Sequence, residues 1–271
     1  MPDLAYVRAP LLSEGELIDR LRAIGPSVVA MSGGVDSAVV AALAHRALGA
    51  SAWAVTLSGP AVAMEELARA REVAAVLGLR HAVVPVDPLQ EDGYRTNPAN
   101  RCYFCRKVEA GAIAAWAAAR GIHTFLDGVH CDDLGDDRPG IRAMDEAGFA
   151  HPLVWAGWGK GEVRAFARAA SLPNWDAPSE ACLASRIRHG QEVTVPLLGR
   201  IEAAERAIRR LGFRRVRVRV EGDDARVEVD VEEVPRLLAG PTSLRVSTDL
   251  RALGFHEVRL DPGGYRPRAN A

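Results

Sequence analysis

The stretch SVVAMSGGVDSAVVAALAHRALGA, residues 27–50, joins two apolar runs through a pair of glycines. Residues 27–31 read as a short apolar strand and 36–50 as an Ala-rich helix. Between them Gly33 and Gly34 allow a tight backbone turn with no Cβ in the way. Successive N–H groups of such a turn can face one anion, reinforced by the N-terminus of the following helix. Ser32 and Ser37 add hydroxyl donors. No Lys-Ser/Thr pair follows the glycines, so this is not a kinase-type P-loop. A lone Gly-Gly is an ordinary strand-to-helix turn. The full string S-G-G-x-D-S in a first βα turn is a much more specific phosphate-binding signal.

The same alternation extends to both sides. Residues 14–24 have helical spacing; 51–57, 81–87 and 123–128 read as strands, and 61–78 and 105–121 as helices. Strands alternating with helices of this length imply βαβ units and a parallel sheet. From 129 to 190 the pattern breaks up around one short helix, 161–170, and long irregular segments of this kind are often functional. After Thr194 an amphipathic helix (196–212) precedes a strictly alternating strand, 214–220, with Arg215, Arg217 and Arg219 on one face. The turn EGDD returns the chain through 225–230, and the simplest hairpin register sets Arg217 opposite Glu228 and Arg215 opposite Asp230. RRLGFRRVRV (209–218) and RALGFHEVRL (251–260) echo each other as helix end, glycine, strand. The expected fold class is α/β: a parallel-sheet domain over 1–190 with a second, smaller α+β domain over 191–271.

Composition narrows the function. The chain has 271 residues, 48% hydrophobic and 25% charged, as a soluble globular protein does. A net charge of −1 supplies no global field for nucleic acid or an anionic membrane. No apolar stretch is long enough to span a bilayer, and MPDLAYVRAP lacks the pattern of a signal peptide. Four cysteines do not make a disulfide framework; in the reducing cytoplasm expected here, their spacing points to metal or catalysis.

Two of them lie in NRCYFCRK, residues 100–107. Cys102 and Cys105 follow the helix-start signal TNPAN, sit one helical turn apart, and gain thiolate character from the helix N-terminus. Cys182 lies in the irregular segment, within SEACLASR, and Cys131 reads as a small buried hydrophobe. The C-x-x-C pair suits a redox dithiol, zinc or an iron–sulfur cluster. A thioredoxin-type pair would follow the first strand of the sheet, not the third. Structural zinc wants four N/S ligands, and no second C-x-x-C or H-x-x-x-H exists. Three thiolates leave one iron of a cubane open, which suits sulfur chemistry better. Arg138, in DDRPG (136–140), and Arg186, in SRIRHG (185–190), read equally as anion contacts and as solvated loop residues with local ion pairs. The tryptophans at 53, 116, 155 and 158 read as packing.

SGGVDS resembles the loop of the PP-loop ATP pyrophosphatases, the superfamily with an adenine nucleotide alpha hydrolase-like domain. The resemblance implies cleavage of ATP to AMP and pyrophosphate, with Ser32, Gly33, Gly34, Asp36 and Ser37 around the pyrophosphate and its Mg2+. Together with NPANRCYFCRK, DDLGDDRPG, WDAPSEACLASRI and RVRVRVEGDDARVEV, it is similar to one family in particular, the LarE sulfur transferases of nickel-pincer cofactor biosynthesis, which serves lactate racemase. Members convert the carboxylates of pyridinium-3,5-biscarboxylic acid mononucleotide to thiocarboxylates. The resemblance implies catalysis by Asp36, Cys102, Cys105 and Cys182, with the three cysteines holding a 4Fe–4S cluster that carries an extra sulfide. It also implies substrate contacts from Arg138, Arg186, Arg217 and Arg219, a divalent cation near Glu205 and Glu228, a sulfide donor, and a homo-oligomer such as a hexamer. In another branch Cys182 itself gives up its sulfur and becomes dehydroalanine. The departure from the family pattern is Cys131. Rival readings are cluster-dependent tRNA thiolation, disfavoured by the net charge, and a non-catalytic nucleotide-binding redox sensor.

Overall fold

The computed structural model describes residues 11–135, 138–178 and 181–266, so the N-terminal decapeptide, Asp136 and Asp137 lie outside the described residues. The first elements are α1 (Glu14–Ile24), β1 (Ser27–Ala30), α2 (Val35–Leu48), β2 (Ala52–Ser58), α3 (Met64–Leu77) and β3 (Arg80–Pro85). One turn, α4 (Asp92–Arg95), precedes α5 (Arg101–Ala118), β4 (Phe125–Leu126), α6 (Pro139–Glu146), β5 (Phe149–Ala150), α7 (Pro152–Trp155) and α8 (Lys160–Ala169). Then come α9 (Val195–Arg209), β6 (Val216–Glu221), β7 (Asp224–Val229), α10 (Val234–Leu238), α11 (Gly240–Ala252) and β8 (Val258–Leu260).

The chain forms two compact units. One holds the chain up to Asp87 and the segment that starts at Cys102; the other holds Pro88–Arg101 and the chain from Ala181 on. Where the sequence suggested one cut after residue 190, contacts group 88–101 and 181–190 with the C-terminal elements. Asn97 is the reason. Fully buried at φ 55°, it donates through Nδ2 to the carbonyls of Arg188 (2.8 Å) and Gln191 (3.1 Å), and its own carbonyl accepts from Gly190 N–H.

The first unit is a five-stranded parallel sheet in the order β3-β2-β1-β4-β5. Side chains of a strand alternate between faces, and both faces are covered. Val29, Met31 and Ala54 pack with α1, α2, α3 and α8 through Leu17, Leu21, Val39, Leu43, Val73 and Val163. Val28 and Val55 pack on the other side against Ala110, Ile113 and Ala117 of α5 and Met144 of α6. Nine residues of α2 are buried, which explains its nearly all-round apolar sequence. The anticipated α/β architecture is therefore present, and β5 is a further strand too short to read from the sequence. No helix among the described residues is long and apolar enough to cross a membrane.

In the second unit β6 and β7 pair antiparallel with Arg217 opposite Glu228, and β8 adds parallel to β7. Both halves of the sequence echo are helix, glycine, strand: Gly212 (φ 87°) links α9 to β6 and Gly254 (φ 89°) links α11 to β8. The arginine row of β6 is not a solvated face. Arg217 is 3% exposed, between Val216 and Val218 at 0%.

Candidate active site

The loop between β1 and α2 is held open by its own hydroxyls. Ser37 Oγ donates to Gly34 O (3.1 Å) and accepts from Ser32 N–H (3.2 Å), while Gly34 N–H reaches Ser32 Oγ at 3.3 Å. Gly34 is the N-cap of α2 and offers no side-chain cap to the helix N–H groups. Gly33 has φ 91°, and a Cβ there would lie 2.4 Å from Glu66 O, so only glycine fits. Gly128, just beyond β4, presses against the same loop; its Cβ would sit 2.6 Å from Ser37 N. Buried Asn174 donates to Gly33 O at 2.9 Å, and its Oδ1 has no hydrogen-bond partner among the described residues. A glycine-shaped turn and an uncapped helix start suit a phosphate chain.

Charged groups gather around Asp36. Lys160 Nζ lies 2.6 and 2.7 Å from its two carboxylate oxygens. His130, also buried, has Nε2 3.8 Å from Asp36 Oδ1 and donates its N–H to Asp133. Asp133 in turn binds Arg138 at 2.5 Å, so Arg138 stands at the start of α6 within this charge network. Lys160, His130 and Asn174 were not expected from the sequence, because they come from loops and a helix start far from the SGGVDS motif.

Deeper in this unit, His151 bridges Asp127 (Nδ1, 2.7 Å) and Asp145 (Nε2, 2.7 Å). Burial alone would pull its pKa down, but hydrogen bonds and charge from Asp127 and then Asp145 outweigh it and push it up to about 9. A raised pKa stabilises the fold fully below the unfolded value, near 6.5, and that contribution is lost as pH rises through about 9. Wild-type protein is expected to lose roughly 2 kcal/mol between those limits relative to His151→Gln, with Asp145 half exposed and its share screened. Urea denaturation of both proteins at pH 6.5 and 9.5 measures this; parallel pH profiles would refute it.

None of the four cysteines forms a disulfide. Cys102 is exposed and Cys105 half-buried in the first turns of α5, where Cys105 Sγ donates to Glu109 at 3.4 Å. Cys131 opens a short turn, its N–H bonded to Trp158 O. Cys182 belongs to the second unit. There Arg186, 2% exposed, donates to Cys182 O (3.0 Å) and Ala181 O, and pairs with fully buried Glu205 through Nε (2.8 Å) and Nη2 (3.1 Å). Arg209 and the Val218 N–H complete the shell of Glu205. Burial would raise the Glu205 pKa, but Arg186, then Arg217 and Arg209, hold it below the usual carboxylate range. Arg219 binds Glu228 at 3.1 Å and reaches Ser185 O, and Arg226 also reaches Glu228. A divalent cation at Glu205 and Glu228 would compete with these guanidinium groups. Among the described residues no group of three or more His, Cys, Asp or Glu side chains is gathered as a metal site.

Comparison with known proteins bears on the same residues. The asparagine synthase family model matches residues 17–97, which contain β1, the glycine loop and α2. An uncharacterized protein of Synechocystis sp. is 39% identical over 89% of this chain and 90% of its own length. Pyridinium-3,5-bisthiocarboxylic acid mononucleotide synthase of Lactiplantibacillus plantarum is 34% identical over 92% of this chain and 90% of its own. The NH(3)-dependent NAD(+) synthetase of Methanoregula boonei is 45% identical over only 64 residues, 23% of this chain. The similarity to the mononucleotide synthase runs through both compact units rather than the phosphate loop alone, and this chain therefore belongs to the LarE family of PP-loop proteins.

Proposed function

We propose that this protein is an ATP-dependent sulfur transferase acting on pyridinium-3,5-biscarboxylic acid mononucleotide. A substrate carboxylate oxygen attacks the α-phosphorus of ATP, the bond to the β-phosphate oxygen breaks, and pyrophosphate leaves. Sulfide then attacks the acyl carbon, and AMP leaves with the former carboxylate oxygen. A carboxylate is a poor electrophile, and adenylation gives it a good leaving group. The observation that carries this reading is the SGGVDS turn, with its donors, its uncapped α2 and its two opposed charges, Asp36 and Lys160.

Ser32, Gly33, Gly34 and Ser37 would hold the pyrophosphate and Asp36 its Mg2+. Arg138, Arg186, Arg217 and Arg219 would meet the substrate's carboxylates and phosphate, and Arg186 also holds the Cys182 backbone carbonyl. Cys102, Cys105 and Cys182 would hold a 4Fe–4S cluster, which when bound supplies a sulfide that can be replenished. Two thiols one helical turn apart at an exposed helix start fit that group. Arg101, the residue before Cys102, also donates to Ala184 O (2.9 Å), two residues beyond Cys182. A separate sulfide donor and a homo-oligomeric state in the cytoplasm belong to the same reading.

The test is product identity. With ATP and the biscarboxylic mononucleotide, AMP and pyrophosphate are expected, and Ser37→Ala should slow pyrophosphate release about tenfold by losing one hydrogen bond. Release of ADP, or thiolated tRNA as product, would overturn the reading.

A further inference from the structure

Glycine on both sides of the Gly33–Gly34 peptide removes the Cβ contacts that elsewhere decide which way a carbonyl and its N–H point. A planar trans peptide sends these two groups in opposite directions, so whatever holds the carbonyl also aims the N–H. Gly33 O accepts from Asn174 Nδ2 at 2.9 Å on the buried side of the loop. The Gly34 N–H points the other way, to the hydroxyl of exposed Ser32 at 3.3 Å. An anion in the loop needs this orientation, because the reverse one would meet it with a carbonyl oxygen.

Asn174 is held in place independently of the loop. It lies 141 positions after Gly33, in the turn that follows α8. Leu172 beside it is a core residue, Trp175 N–H donates to Leu172 O, and Ala177 N–H donates to Asn174 O. Arg164 of α8 braces the same turn by donating to Ala177 O at 3.2 Å. Asn174 is itself 3% exposed, and its Oδ1 has no hydrogen-bond partner among the described residues. A buried acceptor without a donor is destabilising. Packing alone gives no reason to keep such a side chain; its donor, placed on Gly33 O, does.

We propose that Asn174 is a positioning residue of the phosphate loop: by holding Gly33 O it keeps the Gly34 N–H aimed at the bound phosphate chain. The inference rests on the reading of the loop as an ATP site. Asn174 touches no phosphate and acts only through the Gly33–Gly34 peptide. Without its donor the Gly33 carbonyl is buried and unpaired, and the peptide relieves this by turning over toward the exposed side. The N–H then faces inward, and a carbonyl oxygen stands where the anion would sit.

Asn174→Leu keeps the branched shape and removes both the donor and the unpaired acceptor. Its melting temperature is expected to stay within a few degrees of wild type, while affinity for Mg-pyrophosphate falls roughly tenfold or more, the worth of a hydrogen bond to a charged group. Thermal denaturation and calorimetry read the two effects. Unchanged affinity overturns the proposal. Weakened binding in a variant that melts about 10 °C lower would make Asn174 structural, and overturns it too. The spectroscopic signature is local. The chain has only two Gly-Gly peptides, Gly33–Gly34 and Gly263–Gly264, so protein carrying 13C-carbonyl, 15N-amide glycine gives two carbonyl-to-amide correlations. Gly263→Ala removes one and thereby assigns the other. Pyrophosphate should shift the Gly34 signal of wild-type protein and leave that of Gly264. In ligand-free Asn174→Leu, and in the isosteric Asn174→Asp, the Gly34 signal should already be displaced; a signal identical to wild type in both contradicts the proposal. Wild-type protein in which neither ATP nor pyrophosphate moves the Gly34 signal would instead overturn the reading of the loop, and the proposal with it.

Discussion

Cys182→Ala is expected to make no thiocarboxylate, a loss on the order of a thousandfold or more, while still releasing a stoichiometric burst of pyrophosphate. The two outcomes separate because the two chemistries sit on different residues. In the proposed mechanism adenylation rests on the glycine loop and Asp36, both in the first unit. Sulfur delivery, in the same proposal, rests on a thiol in the second. The substitution should leave the local fold in place, because Arg186 grips the backbone carbonyls of Ala181 and Cys182, which alanine keeps. Single-turnover assays of pyrophosphate and of thiocarboxylate measure the split. Persistent thiolation would remove Cys182 from the sulfur path, and loss of the pyrophosphate burst as well would mean that the residue serves the whole site.

Glu205→Leu is expected to destabilise the protein by about 3–5 kcal/mol, because it leaves the buried Arg186 charge without its carboxylate. For a chain of this size that corresponds to a fall of roughly 10 °C in melting temperature. The same side chain also takes Arg209 and the Val218 N–H, so helix α9, strand β6 and the Cys182 turn all lose an anchor together. The double variant Arg186→Leu with Glu205→Leu should recover much of the loss, since a buried ion pair can be replaced by apolar groups at little cost. Thermal and urea denaturation of both proteins provide the comparison. A double variant no more stable than the single one would show that the pair is not what holds this region.

Much of the fold could be read from residue patterns. Four strands, the helices between them and the β6–β7 register follow from apolar runs and strict alternation, which are local signals. What escaped was set by contacts far apart in the chain. β5 is two residues long and gains its identity only by pairing with β4. The segment 88–101 joins the second unit through Asn97, whose hydrogen bonds reach some ninety residues ahead. An alternating arginine row normally marks a solvated face; Arg217 is instead enclosed near Glu205, and the pattern cannot report that. The phosphate loop was legible from SGGVDS. The Lys160 partner of Asp36 was not, since it lies on α8, and the scarcity of lysine was the one sequence signal that could have singled it out.

Sulfur delivered repeatedly through a cluster, rather than once from a sacrificed side chain, is the central claim. The direct measurement is iron and sulfide content of anaerobically prepared protein, followed by intact-protein mass spectrometry after reaction with ATP and the pyridinium mononucleotide. The expected result is a 4Fe–4S cluster with its visible absorption, several turnovers, and a Cys182 of unchanged mass. Protein without iron that ends the reaction with stoichiometric dehydroalanine at Cys182 would contradict it.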